Sequence, residues 1–293
     1  MVLESLIKPE KAENKKYLVL GLGFIFTLVA ALLTHILTNF QEESGAGLML
    51  VFFTTIPSIP LMYSVIKYEE KKDLSNHSEK WLLKEHGKAL ASFMYLFIGI
   101  VLGMVLLYLV LPSSSAENLF GEQLDTLRNI QQSMETGMGT GFSIGNFDDF
   151  SRIFFHNLKV LMLSVIFSFL FGAGAIFILA WNASVIAAAI GNFITNQLKH
   201  VSELVGFERV AGYFEVFTIG LFMYSIHGIP EILAYFTAAL AGGIISIAVI
   251  RHDYKSEKFE KIILDSADLL LISIGLLFVA GLLEVYVTPL VFS

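Results

Sequence analysis

The chain has 293 residues, of which 55% are hydrophobic and 15% charged, with a mean hydropathy of +0.71. Soluble domains carry about 25% charged residues and do not tolerate large exposed apolar patches, so a water-soluble globule is excluded. Twenty-six acids against nineteen bases give −7, which leaves no basic footprint for nucleic acid, and the absence of cysteine removes disulfides, thiolate metal sites and cysteine nucleophiles.

The head, 1–16, carries Lys8, Lys11, Lys15 and Lys16 and reads as a basic cytoplasmic segment. A spanning helix needs roughly 20 apolar residues, and residues 17–111 supply three. They are Tyr17–Thr38, Leu48–Ile66 and Lys88–Leu111. The loop after the first holds only Glu42 and Glu43. The loop at 67–87 holds Lys67, Lys71, Lys72, Lys80 and Lys84, and its acidic pair Glu69–Glu70 reads as a solvated charge run. By the excess of lysine and arginine, the N-terminus and this loop face the cytoplasm.

Residues 112–156 form the only sizeable segment outside the spans, on the extracytoplasmic side. Phe120, Leu124, Leu127, Gln131 and Met134 recur at helical spacing, which predicts an amphipathic helix that packs on the bundle or serves as a docking surface. Gly137, Gly139, Gly141 and Gly145 follow as a flexible link. A fourth span is expected over Leu158–Trp181, with Asn157 as its N-cap and Asn182 at its end.

Next come two short apolar pieces, Ala183–Leu198 and Ala211–Ile226, then full spans at Ile229–Ile250 and Leu264–Pro289. Arg251, Lys255, Lys258 and Lys261 place the loop before the last span in the cytoplasm. That leaves a single net crossing between Asn182 and His227. The expected fold is therefore all-α: a polytopic bundle of about seven spans plus one re-entrant or broken element, in the cell membrane, with the C-terminus outside. Eight spans is the alternative. Small-residue pairs at four-residue spacing, Gly99/Gly103, Ala187/Gly191, Ala238/Gly242 and Ala239/Gly243, predict close helix packing.

Ionisable groups inside a bilayer each need a reason. His35, Asn182, Glu215, His227, Glu231 and Glu284 are the candidates, with His156 and Asn157 at an outer mouth. His227-Gly228-Ile229-Pro230-Glu231 is the most informative cluster. With Pro230 in the first turn of a helix, Glu231 caps that helix; facing a cavity, His227 and Glu231 form a proton- or cation-binding pair. No P-loop, GxGxxG, GxSxG or HExxH is present, so neither a catalytic residue, a cofactor nor a metal site is assigned.

From Phe154-Phe155-His156-Asn157 through Phe171-Gly172-Ala173-Gly174, Trp181-Asn182 and His227-Gly228 with Pro230-Glu231 to Gly242-Gly243, the order of motifs resembles the stage II sporulation protein M family. The resemblance covers about residues 150–250, a family core at 157–250 followed by a basic loop and last span at 251–293. A departure is Ile226, where a proline is expected before the histidine. The resemblance implies an all-helical membrane protein, with Asn157, Asn182, His227, Gly228 and Glu231 as motif residues. In endospore formers it implies a membrane anchor for peptidoglycan-degrading partners; relatives outside sporulation argue against carrying that role over. The expected function is a scaffold for a membrane or envelope complex. A transporter or permease subunit with a polar site around Asn182, Glu215, His227 and Glu231 is the alternative. The bilayer and envelope proteins are the expected partners, and homo-oligomers stay open.

Overall fold

The structure, a computed structural model, describes residues 9–39, 45–73, 79–137, 147–171, 173–201, 207–250 and 257–292. The described residues are almost entirely helical. In chain order the elements are α1 (Pro9–Asn14), α2 (Lys16–Thr38), α3 (Ala46–Asp73), α4 (Glu79–Val110), α5 (Ser113–Leu119) and α6 (Gly121–Gly137). They continue with α7 (Phe147–Phe171), α8 (Ala175–Val201), α9 (Phe207–Ile250), α10 (Glu257–Leu282), a π-helical turn (Leu283–Val287) and α11 (Thr288–Phe292).

Seven of these helical stretches are long and apolar enough to cross a membrane: 16–38, 46–72, 84–110, 147–170, 175–199, 211–250 and 259–291. Their outer faces show why lipid is the medium. Leu32, Ile36 and Leu37 on α2, Met162, Ile166 and Leu170 on α7, and Leu264, Leu271 and Leu290 near the C-terminus are all exposed. In water such a surface drives aggregation; in hydrocarbon it is the expected exterior.

The interior is built by small residues and by hydroxyls that bond within their own helices. A Cβ on Gly99 would run into the Leu20 carbonyl, and one on Gly103 would come within 2.9 Å of Thr27 Cβ, so these two glycines let α2 lie against α4. Likewise a Cβ on Gly242 would sit 2.7 Å from the Val165 carbonyl oxygen, while Ser168 donates a 2.6 Å hydrogen bond to the Ala239 carbonyl across the α7–α9 contact. Thr27, Thr34, Thr54 and Thr55 donate to the carbonyls four residues back, which removes the cost of burying a hydroxyl.

Two expectations about the middle of the chain change. The span expected at 158–181 is α7, which ends at Phe171, and Asn182 lies inside the next span rather than at the end of the last. The re-entrant element is replaced by whole helices: 183–198 belongs to α8, and 211–226 continues straight into 229–250 as the 44-residue α9. Pro230 lies inside α9 and withholds one N–H, that due to the Ile226 carbonyl. The cost is local, and the dense packing of the helix from Ala234 to Ala241 outweighs it. Among the described residues seven helices are long enough to span, so the end of α9 and the start of α10 fall on the same side as α1.

The segment between α4 and α7 packs on the bundle through α5 and α6. Leu119, Phe120 and Gln123 are fully buried, Gln123 Nε2 donates 3.1 Å to Ser184 Oγ of α8, and the Gly47 amide donates 3.2 Å to Glu122 Oε2. Gly139, Gly141, Gly145, Gly172, Arg251 and Lys255 lie outside the described residues.

Candidate functional site

The continuity of α9 decides how the His227–Glu231 cluster is arranged. Glu231 is not at a helix start, so it is no cap; one helical turn separates it from His227 on a shared face. Both side chains are half-buried and turn toward the C-terminal stretch of the chain. His227 Nδ1 lies 3.3 Å from Thr288 Oγ1, and Thr288 Oγ1 donates its only proton to the Leu283 carbonyl at 3.0 Å. Nδ1 is therefore the donor of the His227–Thr288 bond, which leaves Nε2 as the acceptor of a neutral ring. Glu231 Oε1 accepts a 2.8 Å bond from the hydroxyl of fully buried Tyr235, one turn further along.

The facing element is the π-helical turn. An i→i+5 turn inserts one residue into a helix, and such turns are frequent at functional sites. Here it presents Glu284 close enough to Glu231 for their charges to interact, and it hands Thr288 to His227. Two carboxyls, an imidazole, a phenol and a hydroxyl thus line the α9–α10 seam. Ile232, next to Glu231, shares a cleft with Val101 of α4, so the Glu231 end of the seam lies within the apolar bundle. Ionisable groups in such surroundings can hold and pass protons or engage a polar ligand.

The other motif residues do not join it. Asn182 Nδ2 donates 2.9 Å to the Ile178 carbonyl of its own helix, and Glu215 is exposed on the first half of α9. Asn157 is buried within α7, ten residues after that helix starts at Phe147, so it is not a cap; its neighbour His156 is exposed. Buried Gly228 lines an apolar cleft, and exposed His35 sits one turn before the left-handed Asn39 that ends α2. Tyr235 and Thr288 were not singled out in the sequence. The spacing Glu231/Tyr235 carried a usable signal, but the register shift that brings Thr288 to His227 is tertiary.

A second polar cluster was misread in the sequence. Glu69 and Glu70 are fully buried, not solvated. Lys72 Nζ uses its three protons on Glu69 Oε1 at 2.5 Å, Glu13 Oε2 at 2.9 Å and Glu85 Oε2 at 3.2 Å. His86 Nδ1 donates to Glu69 Oε2 at 2.8 Å, and Lys88 pairs with Glu85. The cause is α1, which folds over the ends of α3 and α4, buries Ala12 and inserts Glu13. Among the described residues no group of three or more histidines, aspartates and glutamates is placed to hold a metal ion.

Residues 89–289, more than two thirds of the chain, match the family model described as Stage II sporulation protein M. The chain belongs to the stage II sporulation protein M family. A search of curated proteins and a search of solved structures each gave no match. The match to the sporulation protein M model reaches well beyond 150–250 on both sides. It takes in His227, Glu231, Tyr235, Glu284 and Thr288, and it leaves out every member of the Lys72 network, whose residues run from Glu13 to Lys88. The α9–α10 seam belongs to the family's part of the chain; the buried ion network belongs to the preceding segment.

Proposed function

We propose that this family member is a membrane scaffold that assembles an envelope complex. The observation that carries the reading is the length of α9. Its 44 residues span about 66 Å, and even at a 40° tilt that is about 50 Å against roughly 30 Å of hydrocarbon. Part of it stands clear of the bilayer core. Gly191 packs on Tyr108, two residues before α4 ends, and Gly220 packs on Phe193 and Ile194. By that register the start of α9, with exposed Phe214 and Phe217, projects past the end of α4 alongside α8. Exposed aromatics on a rigid arm are what a protein partner uses as anchors. The family resemblance to a membrane anchor for envelope partners supports the same reading.

Photo-crosslinking from residues 214 and 217 in whole cells tests it, with Leu271 as a control on the lipid-facing side. A discrete protein adduct from 214 or 217, absent from 271, is expected. Lipid adducts alone from all three positions would sink the scaffold. This probe is cleaner than deleting 112–156, because that deletion removes core residues Leu119 and Phe120.

A second reading, transport, draws on the polar seam of His227, Glu231, Tyr235, Glu284 and Thr288. Alternating access needs polar groups beside an irregular helix, and both Pro230 and the π-helical turn supply irregularity. Proton-coupled flux in proteoliposomes, lost in Glu231→Gln, supports this reading; unaltered flux in that variant removes it.

A further inference from the structure

Two clefts adjoin along α8 and α9, one closed on its far side by α4 and the other by α6. One, of about 280 Å³, is apolar and lined by residues that include Phe97, Val101, Ile186, Ile190, Gly228 and Ile232. Ile98 and Ile229 on its rim are 37% and 51% exposed, so it opens onto the surface that lipid covers. The other, of about 420 Å³, is lined by Asn192, Asn196 and Gln197 of α8, with Leu127 of α6 and Tyr224 of α9. Tyr224 lines both clefts, and Ala189 of the polar cleft precedes Ile190 of the apolar one. Their order along the bundle matters. The apolar cleft lies beside residues 94–102, the middle of the α4 span, whereas Gly191, which precedes Asn192 of the polar cleft, packs on Tyr108 near the end of that span.

We infer that the two clefts together form a binding site for one bilayer phospholipid. An acyl chain fills the apolar cleft, and the phosphate reaches the carboxamides at the membrane boundary. Three observations carry this. An apolar groove left empty within hydrocarbon forfeits dispersion contacts that a neighbouring chain supplies. The polar cleft presents exposed carboxamide donors, with Asn196 Nδ2 already donating 3.2 Å to Asn192 Oδ1. Lys199 Nζ, 3.2 Å from Asn196 Oδ1, brings a cation to its rim, which complements an anionic headgroup. The site involves neither the arm of α9 nor the α9–α10 seam, so it stands independently of the scaffold reading.

The test is native mass spectrometry of the full chain, released from nanodiscs of defined phosphatidylglycerol and phosphatidylcholine content. The wild type should retain one phospholipid. Gly228→Leu is the first plug: a Cβ there meets nothing within 4 Å, so the side chain grows into open space. Ile186→Trp plugs the cleft from the facing helix. Each plug should lower phospholipid retention about tenfold while the protein stays monodisperse. Asn192→Ala with Asn196→Ala should lower phospholipid retention and still hold a free fatty acid of the same chain length. A wild type that comes off the nanodisc with no phospholipid bound overturns the proposal without recourse to any variant. Wild-type retention by either monodisperse plug also overturns it, and undiminished retention by the asparagine pair overturns the headgroup placement.

Discussion

Lys72 shows how far a single side chain can govern a membrane protein outside its lipid-facing surface. Its ammonium holds Glu13, Glu69 and Glu85 together, with Glu70 buried next to them. Taking one partner away from a buried ion cluster leaves charge without compensation, which costs about 3–5 kcal/mol. Lys72→Met should therefore lower the thermal midpoint in detergent sharply, whereas Lys71→Met, on an exposed neighbour, should leave it within a degree or two. Equal effects from the two would show that the network contributes little. Glu13 adds a pH dependence. Burial, and then the neighbouring Glu69 carboxylate, raises its carboxyl from 4.5 to about 7, with Lys72 pulling the other way. A folded value above the unfolded one means that the folded state binds the proton more tightly. Glu13 thus favours the docked α1 fully below about pH 4.5, and that contribution is lost as pH rises through about 7. The groups around it are Glu69 and Lys72 on α3 and Glu85 and His86 on α4. Protease access to the N-terminal segment should increase between pH 5 and 8 in the wild type. In Glu13→Gln, which keeps an acceptor for Lys72 but carries no charge, the profile should be flat; an unchanged profile would assign the dependence to another group.

Among the elements, spans were legible in the sequence wherever apolar length alone decides, as in α2, α3, α4 and α10. The pairs Gly99/Gly103 and Ala238/Gly242 also announced close packing correctly, because in lipid small residues are what allow backbones to touch. Legibility failed at Pro230 and at Glu69–Glu70, for different reasons. A proline is a local signal, and the sequence does not reveal how much packing surrounds it; α9 continues because its second half is almost wholly buried. The acidic pair looked solvated because its counter-ion geometry depends on α1 returning over α3, a contact between residues 59 apart. Thr288 was hidden for the same reason, since 61 residues separate it from His227. The glycines give the element-scale prediction. Gly99→Leu forces a side chain into the Leu20 backbone, where overpacking costs about 1–3 kcal/mol or more, so α2 should detach from α4 and the variant should lose its monodisperse peak. Gly21→Ala, one helix across, meets nothing within 4 Å and replaces a poor helix former, so its midpoint should hold or rise slightly. A bundle that tolerates both changes alike would contradict the α2–α4 contact.

For the whole molecule, seven spans settle a parity. An odd number puts the first and last spans' free ends on opposite sides, and it puts α1, the end of α3 with the start of α4, and the end of α9 with the start of α10 on one side. All six lysines outside the spans, Lys8, Lys11, Lys15, Lys80, Lys255 and Lys258, fall in the sequence before the first span, between the second and third, or between the sixth and seventh. Lysine-rich segments resist translocation, so this common side is expected to be the cytoplasm. The eight-span alternative breaks the agreement, because it sends Arg251 and Lys255 outside with Asp265 and Asp268 beside them. The natural chain has no cysteine, which makes the experiment direct. Single cysteines at the exposed positions Asn14, Glu117 and Glu260, probed with a membrane-impermeant maleimide in intact cells, should label only at position 117. Labelling at 14 and 260 but not at 117 would keep the fold and invert its orientation. Labelling at 260 and 117 without 14 would break the alternation itself, and with it the continuity of α9 through Pro230 on which the His227–Glu231 face depends.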